Sequence, residues 1–132
     1  MISVTTNSTG TKYCLYFATA TANIKCDYNV LYMSASAGSN LTGRWDGENY
    51  LTLEDWQTAD NGAFDQNSVD VDPIFVTPVG RDLTPQNPVI DNIGIDLLAW
   101  VPDDFYGEPR SATPDPGAIE FEPPACTPPI QL

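Results

Sequence analysis

Proline sets the first limit on what this chain can fold into. Twelve of its 132 residues are proline and nine more are glycine. A proline ring is barred from helix interiors, and it lacks the N–H that a central strand must donate. Much of the chain must therefore run as turns and loops. Regular structure has to come in short pieces.

Three short pieces resemble one another. Residues 2–7 read ISVTTN and residues 24–29 read IKCDYN, 22 positions later. Residues 69–73, VDVDP, continue the series after an interval of 45. Each alternates apolar and polar residues, the period of a strand with one buried face. Strands that recur at such spacing, each too short to make a core alone, mark a solenoid. Stacking at about 4.8 Å would then form one ladder from Ile2, Ile24 and Val69 and another from Val4, Cys26 and Val71. Asn7 and Asn29 would stack at a corner, where asparagine tolerates a left-handed backbone. YCLYF at 13–17 and YNVLYM at 28–33 supply further strands.

The stretch 40–64 interrupts the series. Asp46-Gly47 between aromatic residues predicts a tight reversal. TLEDWQTA predicts a short helix capped by Thr52, with Asp55 completing a capping box and Leu53 and Trp56 on one face. Asp60-Asn61-Gly62 ends it. Trp45, Tyr50 and Trp56 are candidates for a glycan-stacking platform, against the alternative of a lid packed on the solenoid side.

Charge narrows the function classes. Five Lys and Arg against eighteen Asp and Glu give a net charge of −13. Phosphate binding needs clustered cations, so nucleic acid is excluded, and anionic membrane surfaces are disfavoured. Histidine is absent, which removes His-based triads and the commonest zinc ligand. Cys14, Cys26 and Cys126 form no CxxC pair, so a structural zinc site is not expected. Cys14 and Cys26 can pair only in an exported protein; otherwise they are buried thiols. No apolar run approaches the ~20 residues that span a bilayer, and no leader-like start is visible.

Several phrases taken together resemble the C-terminal region of right-handed parallel β-helix proteins of the pectin-lyase-like superfamily. They are Asp72-Pro73-Ile74-Phe75, then Asn87-Pro88-Val89-Ile90-Asp91 with Gly94, then Asp104, Gly107, Arg110, Asp115, Gly117, Ala118, Glu120 and Phe121. The resemblance covers roughly residues 20–122. Tyr106 stands where that family has a second aspartate, which weakens a calcium-loop reading, and Pro116 replaces an aliphatic residue.

The resemblance implies an all-β chain. Residues 1–122 would be the last rungs of a parallel β-helix, with one short helix in the insertion and a C-terminal cap. Residues 123–132 would be a proline-rich linker toward a following module. The cap would be 103–121, with prolines and acids blocking a further strand and Arg110 ion-paired to a neighbouring acid. The function implied is a non-catalytic structural or binding segment of a secreted or bacterial cell-surface protein, in adhesion or glycan contact. Its partners would be upstream rungs and a downstream domain of the same polypeptide, and a polysaccharide or surface glycan. The alternative is the C-terminal part of a polysaccharide lyase or glycoside hydrolase whose active site lies mostly upstream. No cofactor is required by either reading, although calcium is compatible with the acidity. In the expected register Asp27, Asp70 and Asp72 are the candidate calcium ligands. Lys25 stands as either a base or, more simply, the ion-pair partner of Asp70.

Overall fold

The computed structural model describes residues 1–20 and 23–124. Cys126 and most of the 123–132 linker lie outside the described residues. Five short strands come first: β1 (Ile2–Val4), β2 (Thr11–Phe17), β3 (Leu31–Met33), β4 (Ser39–Trp45) and β5 (Glu48–Tyr50). A single-turn helix, α1 (Leu53–Trp56), and a 3₁₀ turn at Ala59–Asn61 follow. A second 3₁₀ turn at Pro88–Ile90 is the last helical element among the described residues.

The expected parallel β-helix is not what forms. The strands divide into a two-stranded parallel sheet, β1–β3, and a three-stranded mixed sheet, β2–β4–β5. Among the described residues these do not close into a solenoid. The 22-residue register is also wrong. Ile2 pairs with Leu31 and Val4 with Met33, not with Ile24 and Cys26. Val30 forms an isolated parallel bridge with Val69. Asn7 and Asn29 do not share a ladder either: Asn7 Oδ1 accepts from Ser36, and Asn29 Nδ2 donates to Asp65.

Two physical causes account for the difference. Asp46 and Gly47 both adopt positive φ, 47° and 87°. That is the backbone of a tight hairpin turn, and it sends β5 back antiparallel along β4. A continuous coil has no such reversal. Second, all twelve prolines follow residue 72, so the ladder runs out of donors there. Beyond Val69, among the described residues, only isolated antiparallel bridges remain, Thr77 with Asp82 and Asp103 with Pro109.

Of the local expectations for the insertion, the capping box and the inward face hold, whereas the helix stops at Trp56 and Asp60-Asn61-Gly62 close a separate 3₁₀ turn. The Thr52 hydroxyl accepts from Asp55 N at 3.1 Å, and the Asp55 carboxylate accepts from Thr52 N at 3.3 Å. This reciprocal capping box satisfies two helix-start donors. Leu53 and Trp56 face inward and are buried.

The apolar residues form two clusters. The larger contains Leu31, Trp45, Leu53, Trp56, Ala59 and Phe64, with Phe17, Cys14, Cys26 and Tyr50 at its margin. Gly43 makes it possible: a β-carbon there would lie 2.2 Å from Trp56 Cε3, so the indole packs directly onto the β4 backbone. The smaller cluster joins Val30, Ile90 and Phe121, with Met1, Val69, Val71 and Ile93 around it. It is the apolar tie between the strand-bearing half and the proline-rich half.

Candidate functional site

The aromatic trio suggested by the sequence lies inside the fold. Trp56 is fully buried and stacks on Phe64, centroids 5.0 Å apart at 19°. Trp45 is 6% exposed and meets Phe64 edge-on at 4.9 Å. Tyr50 is half-buried, with its ring edge-on to Trp56 at 5.6 Å. The indole N–H of Trp56 donates to Asp65 Oδ2 at 2.8 Å. Their faces serve each other and the core, and do not form an open platform.

Asp65 is the centre of that core's polar wiring. Its Oδ1 also accepts from Asn29 Nδ2 at 2.8 Å and from Ser68 Oγ at 2.6 Å. Burial alone would raise this carboxyl, but the donors from Asn29, Ser68, Trp56 and Cys26 outweigh it and hold the group below its ordinary value. The same burial pushes the neighbouring Cys26 thiol up to about 12, with help from Asp65. Cys14 is pushed up to about 11 by burial and by the charge of Asp70. Cys14 and Cys26 are free thiols and do not pair.

Two of the three candidate calcium ligands, Asp27 and Asp72, serve turns. Asp27 Oδ1 accepts from Asn67 N at 2.7 Å and Tyr28 N at 2.9 Å, and its Oδ2 accepts from Asn67 Nδ2 at 2.7 Å. Asp72 Oδ1 accepts from Ile74 N at 2.9 Å. The Asp70 carboxyl is raised by partial desolvation and by the charge of Glu54. Among the described residues no three or more His, Cys, Asp or Glu side chains converge as a metal site. Lys25 is exposed, and among the described residues the one ion pair is Arg110–Glu120 at 2.8 Å.

That pair organises the stretch 103–121. Arg110 Nη1 donates to Glu120 Oε1, and Nη2 to Gly117 O, both at 2.8 Å. Asp115 is buried, and its two oxygens accept from Asn92 N and Phe121 N, each at 2.7 Å. Burial raises both the Asp115 and Glu120 carboxyls, and Asp115 raises Glu120 further. Asp104 pins a turn: its Oδ1 accepts from Tyr106 N at 2.7 Å and Glu108 N at 2.9 Å, and its Oδ2 from Glu120 N at 3.0 Å. Desolvation opposes those bonds, yet they prevail and hold the Asp104 carboxyl below its ordinary value.

The pinned turn displays two aromatic rings. Phe105 is 76% exposed and Tyr106 is 63% exposed. They stand edge-to-face, 5.3 Å apart, and Phe105 N is fixed to Ala118 O at 2.7 Å. Both border an apolar groove of about 540 Å³ whose other walls include Met1, Phe75, Leu83 and Ile119, with Arg81 as its cation. Trp100, 79% exposed, projects from the turn just before.

No known protein family, curated protein or solved structure matches the chain. The exposed rings and the groove beside them are therefore the features that bear on function. Sequence reasoning passed over Trp100 and Phe105, and named Tyr106 only for the aspartate it replaces. The available signal was their setting, LLAWVP and DFYGEP, where prolines and glycine prevent the alternation that would turn aromatics toward a core.

Proposed function

We propose that the chain is a non-catalytic binding segment that contacts carbohydrate through Trp100, Phe105 and Tyr106, acting outside the cell or at a cell surface. The observation that carries this reading is the pair of exposed rings held on a hydrogen-bonded turn beside an apolar groove. Sugar rings present apolar C–H faces with polar edges. A rigid aromatic contributes large contact area with little conformational entropy to lose. The excess of acidic groups favours neutral glycans over sulfated or uronate-rich ones.

An enzymatic reading has less support. Asp115 and Glu120 are the carboxyls with the most suggestive environment, because burial raises both. Their oxygens are already engaged by Arg110 and by backbone N–H groups, which leaves neither free to serve as a general acid or base.

A glycan array probed with the full chain, alongside Phe105→Ala/Tyr106→Ala, tests the proposal. Binding to at least one neutral glycan class, lost in the double variant, is the expected result. Failure to bind any glycan, or binding unchanged by the double variant, overturns it.

A further inference from the structure

Among the described residues β2 is paired on one side only, with β4, and β1 likewise pairs with β3 alone. The register shows which backbone groups of β2 are left over. Thr42 N donates to Leu51 O, so the even-numbered residues of β4 turn their N–H and C=O groups toward the β5 side and the odd-numbered ones toward β2. In a parallel pair, a residue that bonds across does so with the two residues flanking its partner position. Leu41 stands opposite Tyr13 and Gly43 opposite Leu15, so Lys12, Cys14 and Tyr16 bond to β4. The N–H and C=O groups of Thr11, Tyr13, Leu15 and Phe17 face the other way, where no strand among the described residues receives them.

An open edge is normally guarded by charge, proline or a bulge. β2 contains no proline and keeps one register along β4. Its single charge, Lys12, is buried and spent on the carbonyls of Ser8, Gly10 and Ala37. The apolar layer at this end is uncovered as well. Leu31, the partner of Ile2, is fully buried, whereas Ile2, Leu15 and Phe17 are only half-buried where they pack against the larger cluster.

Charge indicates what can cover such an edge. Residues 1–26 contain no Asp or Glu, so all eighteen acids follow them. Two chains of net charge −13 repel wherever their acidic surfaces come within a screening length of about 8 Å at physiological salt. The β2 edge carries no carboxylate of its own. The charge of Asp70 reaches Cys14, but that carboxylate is bonded to the Met33 backbone, at the end of β3 and not on β2. A pairing of like with like needs a surface that tolerates its own copy, and this edge is one.

We propose that β2 pairs with β2 of a second copy in a two-fold dimer. Two-fold symmetry makes the new pair antiparallel. Centred on Cys14, it sets Tyr13 against Leu15 of the second copy and Thr11 against its Phe17, each pair exchanging two N–H···O bonds. A seven-residue edge is short beside the roughly 1,200–2,000 Å² of a stable interface, so dissociation on the order of tens of micromolar is expected. The inference is independent of the carbohydrate-binding reading.

Sedimentation velocity of the full chain over roughly 1 μM to 1 mM brackets that affinity and tests it. The mass should rise with concentration from 14.4 kDa toward twice that value. Site-resolved hydrogen exchange should show the Tyr13 and Leu15 amides protected at high concentration and fast at low, with the Cys14 amide slow in both. Thr11→Glu/Tyr16→Glu places acids at two exposed positions of the edge strand, and should weaken the dimer at least about tenfold with an unchanged circular dichroism spectrum. Val79→Glu adds an acid at a position that is 98% exposed and outside the strand, and should leave the dimer intact. A monomer mass across the whole range would overturn the proposal. So would a dimer that survives the double variant or is weakened to the same extent by Val79→Glu. Slow exchange at Tyr13 and Leu15 in a monomer would put another segment of the chain on this edge and overturn it too. If the double variant misfolds, the concentration dependence of exchange in the parent decides.

Discussion

Replacing Asp65 by asparagine tests the polar wiring of the larger core. The carboxylate accepts from Trp56 Nε1 on one oxygen and from Asn29 Nδ2 and Ser68 Oγ on the other. Asparagine offers one oxygen and one NH₂. Whichever way it turns, its NH₂ faces a buried donor, either the Trp56 indole or the Asn29 amide. A buried donor left unpaired costs about 1–3 kcal/mol, and a bond to a charged group is worth roughly 1.5–3 kcal/mol. The expected loss at pH 7 is therefore about 2–4 kcal/mol, a large part of the roughly 5–15 kcal/mol that holds a domain together. The assay is equilibrium urea unfolding followed by tryptophan fluorescence. Acid adds a second check. The folded-state carboxyl lies below its ordinary 3.8, so its stabilisation is fully present above pH 3.8 and is lost as pH falls through the folded value. The gap between parent and variant should shrink in that window. Equal unfolding midpoints at pH 7, or a gap that widens in acid, would refute the reasoning.

Other parts of the fold make their own predictions. Gly43→Ala places a methyl within 2.2 Å of the Trp56 ring, so the indole must shift; a loss of about 1–3 kcal/mol and an altered tryptophan emission are expected. Lys12 is buried and donates to the carbonyls of Ser8, Gly10 and Ala37 at 2.7, 3.1 and 2.6 Å. Lys12→Met leaves these acceptors unpaired and should lower the thermal midpoint by several degrees. Cys14 and Cys26, with thiols pushed up to about 11 and 12, should resist iodoacetamide at pH 8 in the native protein and react after unfolding, as read by peptide mass spectrometry. Asp115 and Glu120 bind protons more tightly when folded than their ordinary 3.8 and 4.5 imply. They should strengthen the fold as pH falls through those raised values toward the ordinary ones. That gain, measured as thermal midpoint against pH, should vanish in Asp115→Asn/Glu120→Gln.

What was legible in the sequence was local. The hairpin turn at Asp46-Gly47, the capping box of Thr52 and Asp55, and the strand at 13–17 each depend on neighbours a few residues away, and each is found. The pairing of Arg110 with an acid was also legible, because a lone cation among carboxylates has few alternatives. The ladder was not. Alternation identifies a strand and its two faces but carries no information about which strand lies beside it. Three similar segments invited a 22-residue register, whereas β1 settles on Leu31–Met33, 29 positions on.

The placement of the aromatic side chains was not legible either. Trp45 precedes a turn and Trp56 follows two acidic residues, yet both are buried because Phe17 and Leu31 arrive from earlier strands and Phe64 folds back from beyond the helix to cover them. Trp100, Phe105 and Tyr106 remain outside because the proline-rich half supplies no sheet face to receive them. Backbone turns, caps and charge balance are short-range properties, so the order of residues determines them directly. Strand register, ring burial and the open edge of β2 depend on which remote segments meet, and only the tertiary packing decides that.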